Sequence, residues 1–122
     1  MTQPTPSAHL GAPVLQGLAR HLLRLEGAAL LLASAMAYGH LGLAWPDFAI
    51  WFLAPDLGLV PYAIGPRAGA AAYNATHSLV GPGLWLALAL ATGASPGGAL
   101  IWAGHIGFDR CLGYGLKLDG TF

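Results

Sequence analysis

Charged side chains are scarce in this chain of 122 residues. Asp, Glu, Lys and Arg together make up 8% of it, whereas 56% of the residues are hydrophobic and the mean hydropathy is +0.61. These few charged side chains cannot provide the polar surface that a soluble globular protein needs. The composition therefore predicts a membrane protein. The five basic residues are scattered singly and the formal net charge is +0, which argues against nucleic-acid binding through phosphates.

Cysteine is almost absent as well. Cys111 is the single cysteine of the chain, which excludes an internal disulfide framework and a CxxC metal knuckle. We therefore expect Cys111 to act as a small packing residue.

Four apolar stretches predict an all-α fold, a four-helix transmembrane bundle. Residues 1–19 begin with a segment rich in Pro, Thr, Ser, Ala and Gly and are predicted to form a mobile tail before a membrane domain over 20–122. The expected spans cover roughly residues 22–44, 47–64, 68–91 and 99–116. A cleaved signal peptide is the alternative interpretation of the first stretch, because Ala33-Ser34-Ala35 resembles a cleavage site.

Prolines and glycines predict where these helices start and bend. Pro46 precedes an acidic first turn at Asp47, as helix starts prefer, and Pro55 interrupts the middle of the second span. The triplet Gly81-Pro82-Gly83 is expected to kink the third span.

The few basic residues lie on alternate sides of the spans. Arg20 and Arg24 precede span one, Arg67 lies between spans two and three, and Arg110 and Lys117 lie near the end of span four. The loops after spans one and three contain neither Lys nor Arg. The positive-inside rule therefore predicts that both termini and the second loop of this multi-pass protein are cytoplasmic.

Four ionisable residues fall inside the apolar stretches: Asp56, His77, His105 and Asp109. A charge near the bilayer centre costs roughly 2.5–3.5 kcal/mol on insertion scales, so such residues usually face one another at a functional site. With about 1.5 Å of rise per residue, all four lie within roughly 13–20 Å of the outer end of their spans. His105 and Asp109 are four residues apart and share a helix face. The set predicts a site for a divalent metal ion such as zinc.

Other polar residues receive supporting roles. Tyr73, Asn74, Thr76 and Ser78 are expected to orient the ligands or a substrate. Glu26 lies near the cytoplasmic edge and is expected to form a structural ion pair with Arg24, Arg67 or Arg110.

From Leu22 onwards the chain resembles a known family. The segments LLRLEG, PDLG, GPRAGAAAYNATHS and HIGFDRCLGYGLK are similar to the uncharacterised bacterial family of small integral membrane proteins catalogued as domain of unknown function 4260. That resemblance implies a membrane location and no assigned activity.

A second resemblance carries chemistry. The order PD, THS and HxxxD is similar to the membrane-bound metal-dependent hydrolases, and it places metal ligands on Asp56, His77, His105 and Asp109. The chain departs from that pattern at Gly58, where a second acid is typical, and at Tyr73-Asn74, where a His-Arg pair is typical.

Three functions follow as alternatives. The first is a metal-dependent hydrolase that acts on a lipid or another membrane-embedded or small-molecule substrate, with a metal-activated water as nucleophile. The second is a transporter, a proton relay or a structural membrane protein built on the same polar residues. The third is a haem-binding membrane protein with His77 and His105 as axial ligands.

Overall fold

The computed structural model describes residues 6–117, with side chains from residue 13 onwards, and it confirms the all-α fold. Its elements are α1 (Pro6–His40), α2 (Trp45–Trp51), a 3-10 helix (Ala54–Ala63), α3 (Pro66–His77), α4 (Val80–Thr92) and α5 (Gly97–Leu112). The second predicted span thus consists of α2 and the 3-10 helix, and the third consists of α3 and α4.

The first helix is longer than the first predicted span. It begins at Pro6, so much of the stretch expected to be a tail is helical. Residues 1–5 of that stretch lie outside the described residues, and its mobility stays a prediction.

Both breaks within the spans follow from proline. A proline lacks the backbone N–H, and its ring clashes with the carbonyl four residues earlier. Pro55 therefore ends α2 at Trp51, and Pro82 ends α3 at His77, where Ser78 turns to extended backbone with φ −86° and ψ 144°. The expected kink of the third span accordingly falls at Ser78, upstream of the Gly81-Pro82-Gly83 triplet.

The centre of the fold is the antiparallel pair of α1 and α5. Gly27 of α1 and Gly107 of α5 face each other, and a Cβ on either would lie 2.7 Å from the other's carbonyl oxygen. At the opposite end of the pair, Tyr38 packs with Leu100 and Ile101 in a small buried core. Arg24 Nε donates to the Cys111 carbonyl near the end of α5 (2.9 Å). The two helices therefore lie in contact along the length of α5.

The 3-10 helix and α3 form a second unit, a hairpin. Gly58 lies directly against the Thr76 side chain and Gly69 lies against the ring of Tyr62, so the backbones approach closely. Helix α4 returns along α5, where Gly81 contacts the ring of Trp102 and Gly98 contacts the ring of Trp85. The fold thus brings the 3-10 helix, α3 and α5 together around one interior region.

Candidate metal centre

Three elements deliver the four predicted ligands to this region. Asp56 and His77 come from the hairpin, where the interruption by Pro55 and the end of α3 leave both residues at the same level. His105 and Asp109 lie one turn apart on α5. Both histidines are buried, with 2% exposure for His77 and 1% for His105. The structure therefore brings all four predicted residues into one cluster.

The ligand atoms of the cluster lie close together. His77 Nε2 is 3.3 Å from Asp56 Oδ1 and 3.2 Å from Asp109 Oδ2. His105 Nε2 is 3.1 Å from Asp56 Oδ1 and 3.3 Å from Asp109 Oδ2. The two Nε2 atoms are 3.2 Å apart, and one ligand atom from each residue lies within 4.8 Å of every other. One ion at the centre of this group would reach all four residues.

These separations match the size of a tetrahedral transition-metal site. Zinc binds His nitrogen at about 2.0–2.1 Å and carboxylate oxygen at similar length, which places neighbouring ligand atoms about 3.3–3.4 Å apart. Five of the six edges of the cluster measure 3.1–3.3 Å. The donor set of two imidazoles and two carboxylates suits zinc or a similar divalent ion better than calcium, which prefers oxygen ligands alone.

The hydrogen bonds of His77 fix which ring nitrogen faces the cluster. Its Nδ1 is 3.0 Å from the Tyr73 carbonyl oxygen, which can only accept, so Nδ1 carries a proton and donates. Thr76 Oγ1 lies 2.9 Å from the same Nδ1, while its hydroxyl is 3.1 Å from the carbonyls of Ala72 and Tyr73 and donates there. In neutral His77 the Nε2 lone pair therefore points at the cluster, as metal ligation requires.

Without a cation this arrangement is electrostatically unfavourable. An unprotonated nitrogen and two carboxylates would face one another across about 3 Å, and like partial charges at that distance repel strongly in a buried site. His105 adds a second constraint, because its Nδ1 has no hydrogen-bond partner among the described residues. A divalent ion held by both Nε2 atoms would offset the charge of the two carboxylates, while His105 Nδ1 would remain without a partner among the described residues.

The supporting residues divide into two groups. Thr76 and Tyr73 contact His77: Thr76 Oγ1 accepts from its Nδ1, and the Tyr73 ring stacks on the imidazole with centroids 3.9 Å apart and an interplanar angle of 9°. Asn74 instead binds Lys117, accepting from its N–H and donating to its carbonyl, both at 2.6 Å. Ser78 accepts from the N–H of Val80 at the start of α4 (3.2 Å). Asn74 and Ser78 therefore shape the backbone around the site and do not contact the ligands.

The break after His77 leaves backbone carbonyls without helical partners, and α5 supplies donors for them. The indole Nε1 of Trp102 donates to the Thr76 carbonyl (2.6 Å), and Arg110 Nη2 donates to the His77 carbonyl (3.2 Å). In an apolar medium such groups must be satisfied within the protein. Sequence reasoning missed this role of Trp102, which no local motif reveals.

The predicted ion pair of Glu26 is not formed in the described part of the chain. The ion pairs there all join the two histidines to the two aspartates, and Glu26 is exposed. Gly27, the next residue, packs on α5, and the helical turn of about 100° per residue directs Glu26 away from it. Arg110 is engaged with His77, and Arg67 is exposed at the start of α3.

A pocket of about 200 Å³ opens onto the cluster. Its lining consists of Asp56, Asp109, Leu59, Tyr73 and Tyr114. The Asp56 side chain is 41% exposed and the Asp109 side chain 16% exposed, so the carboxylate side of the cluster is accessible, whereas the imidazole side is closed. Tyr114 was expected to lie in an interfacial aromatic belt and not at the site; its position just beyond α5, five residues after Asp109, was the available signal.

Two helical stretches are long and apolar enough to cross a membrane. They cover Pro13–His40 and Pro66–Thr92, and only 17% of the most apolar window in each is buried inside the protein. A helix at the core of a soluble protein would be mostly buried instead. Large hydrophobic side chains are exposed on α1, α2, the 3-10 helix, α4 and α5, among them Leu32, Ile50 and Leu88.

The fold and the cluster define a class: an all-α protein with apolar outer surfaces and a buried pair of histidines facing two aspartates. Residues 20–122 match the family model described as Domain of unknown function (DUF4260), and the chain belongs to that family. No curated protein and no solved structure matches it significantly. The expected family membership is thus confirmed, while the family itself assigns no activity.

Proposed function

We propose that this protein is a multi-pass membrane metalloprotein in which Asp56, His77, His105 and Asp109 bind one divalent ion, zinc or a close relative. The observation that carries the proposal is the set of near-equal separations between ligand atoms from three different elements. The hydrogen bond from His77 Nδ1 to the Tyr73 carbonyl also supports it, because in the neutral ring it leaves the Nε2 lone pair facing the cluster. The exposed hydrophobic side chains and the weak burial of the two long helices support the bilayer as the surrounding medium.

The pocket beside the carboxylates favours a hydrolase over a purely structural site. Structural zinc sites are closed, whereas catalytic sites keep a face open for water and substrate. Here the open face lies between Asp56 and Asp109, with the Tyr73 and Tyr114 side chains beside it. A divalent ion at this position would supply Lewis acidity and activate water near neutral pH. The apolar surroundings favour an ester or phosphoester of a lipid as substrate.

Geometry disfavours the haem alternative. The two Nε2 atoms lie 3.2 Å apart, and both aspartates contact both imidazoles. No space remains for a porphyrin between the two histidines.

Metal analysis of purified, untagged full-length protein tests the binding step. We expect about one equivalent of metal in wild type and its loss in His105→Ala. His40→Ala removes an exposed histidine far along α1 and should retain the ion. Equal, substoichiometric metal in all three proteins would refute the site and leave a polar network that joins the helices.

Hydrolysis is tested separately. Chromogenic carboxylic esters and phosphodiesters in mixed micelles should be cleaved by metal-loaded protein, and activity should disappear with a chelator and return with added metal. Full metal occupancy without turnover of either ester class would overturn the proposed hydrolase and leave metal binding intact.

A further inference from the structure

A cavity lined by described residues lies apart from the candidate metal centre. It has a volume of about 670 Å³ and lies between α2 and α4, which both pack on α5. None of the four cluster residues lines it, although Pro55 and Thr76, the neighbours of Asp56 and His77, form its inner end. Cavities of this size lie within the range of sites for small molecules.

The aromatic walls of this cavity are fixed in place. Trp85 and Trp102 form one side and meet edge to face, with ring centroids 6.4 Å apart. Gly98 and Gly81 leave the space that these two rings occupy, since a Cβ at either position would overlap with the facing indole. The cavity is therefore built into the packing of α4 on α5.

Most polar atoms of the lining are already engaged elsewhere. Tyr38 donates its hydroxyl to the Ala44 carbonyl (2.6 Å), and Trp102 donates to the Thr76 carbonyl (2.6 Å). Ser95 Oγ accepts from the N–H of Gly97 (3.2 Å), and the Thr76 hydroxyl donates to the Ala72 carbonyl within α3 (3.1 Å). The surfaces that these residues turn to the cavity are consequently apolar, which suits a hydrocarbon occupant.

One lining residue breaks this pattern. Asp47, in the first turn of α2, is exposed and lies at the end of the cavity near the loops over 41–44 and 93–96. None of the ion pairs within the described residues involves it. A single carboxylate at the mouth of an apolar cavity is complementary to a cationic head group that also donates hydrogen bonds.

We propose that this cavity binds a single long hydrocarbon chain with a primary ammonium head group, the chain lying between Trp85, Trp102 and Trp51 and the head group at Asp47. The site is separate from the metal centre and does not depend on its occupancy. An ammonium group at Asp47 would donate charge-assisted hydrogen bonds to its carboxylate. The hydrocarbon chain of the ligand would lie inside the cavity, out of contact with the surrounding lipid.

Tryptophan quenching provides the test, because three of the four tryptophans line the cavity. Wild-type protein in phosphatidylcholine nanodiscs is titrated with hexadecylamine that carries bromine near its tail, and with the matching brominated hexadecanoic acid. We expect saturable quenching, with the amine bound about tenfold more tightly than the acid. Asp47→Asn should remove that preference.

A steric variant separates binding in the cavity from partition into the bilayer. Ala54→Phe projects a ring into the cavity and should weaken binding of both probes at least tenfold. Ala91→Phe makes the same change on an exposed part of α4 outside the lining and should behave as wild type. Retained metal content in Ala54→Phe would show that its fold is intact.

Three outcomes would overturn the proposal. Quenching that does not saturate, or that is equal in Ala54→Phe and wild type, would mean that the probes only partition into lipid. Saturable binding without preference for the amine would remove the role of Asp47. A stable dimer that Ala54→Phe dissociates would mean that a second copy of the chain covers the cavity.

Discussion

Gly27 of α1 and Gly107 of α5 occupy the space that each other's side chain would need. A Cβ on Gly107 would lie 2.7 Å from both the Gly27 carbonyl oxygen and the Leu31 backbone nitrogen. Because these are backbone atoms, neither helix can accommodate a methyl group by rotating a side chain. The contact sets the distance between α1 and the helix that carries His105 and Asp109.

Gly107→Ala should therefore destabilise the protein by about 1–3 kcal/mol, the usual cost of overpacking a tight contact. Gly83→Ala is the matched control, because a Cβ there meets nothing within 4 Å and alanine favours a helix by about 0.5–1 kcal/mol. Denaturant unfolding in detergent micelles measures both. A Gly107→Ala protein as stable as Gly83→Ala would contradict the close approach of the two backbones.

Loss of one charged ligand should matter more than loss of a remote carboxylate. We expect Asp109→Asn to remove most of the bound metal, since it lies 3.2–3.3 Å from both Nε2 atoms. Glu26→Gln makes the same chemical change at an exposed position of α1 and should retain wild-type metal content. The metal content of the two untagged variants, measured beside wild type, tests this prediction. Equal losses of metal in both variants would count against the site.

The hydroxyl of Thr76 should contribute to metal affinity through His77. Thr76→Val keeps the shape that packs against Gly58 but removes one of the two acceptors for His77 Nδ1, the other being the Tyr73 carbonyl. Loss of such a supporting hydrogen bond typically lowers metal affinity about 10–100-fold. Thr76→Ser retains a hydroxyl and should stay near wild type. Competition with a chromophoric chelator gives the affinities, and equal values for the valine and serine variants would rule out the role of this hydrogen bond.

The double hydrogen bond between Asn74 and Lys117 should hold the segment after α5 against α3. Lys117 Nζ also lies 5.1 Å from the centre of the Tyr73 ring. In Asn74→Ala we expect trypsin to cleave after Lys117 several times faster than in wild type, because the backbone there loses both partners. Asn74→Asp keeps the acceptor for the Lys117 N–H and should give an intermediate rate. Mass spectrometry of the timed digest measures this, and unchanged cleavage in Asn74→Ala would show that the segment is held by other contacts.

The distribution of basic residues predicts which ends of the helices face the cytoplasm. In a Cys111→Ala background, Ala94→Cys should react with a membrane-impermeant maleimide from outside the cell, whereas Gly65→Cys should react only after permeabilisation. Both positions lie in loops, at opposite ends of the third predicted span. The reverse labelling pattern would invert the topology.

The four residues of the cluster could be singled out from the sequence because their signals are local. Ionisable residues are conspicuous in apolar stretches, their depth is countable, and the spacing of His105 and Asp109 fixes a shared face. Predicting where the third span breaks would have meant considering the clash between the ring of Pro82 and the carbonyl four residues earlier. The partners of Arg110 and Trp102 depend on how α5 docks against α3, as does the cavity beside α2. No local pattern encodes that docking.

The cluster also joins two separately packed parts of the chain. Asp56 and His77 belong to the hairpin of the 3-10 helix and α3, whereas His105 and Asp109 belong to α5, which is paired with α1. Besides the capping bonds from Trp102 and Arg110, the cluster is the main polar link between the two parts. An ion bound there would cross-link them and enclose α4 in a closed loop of chain. The free energy of metal binding would then stabilise the docking of the two parts against each other. Metal supply would govern how much of the protein reaches the fully folded state and how much remains partly unfolded and accessible to proteases.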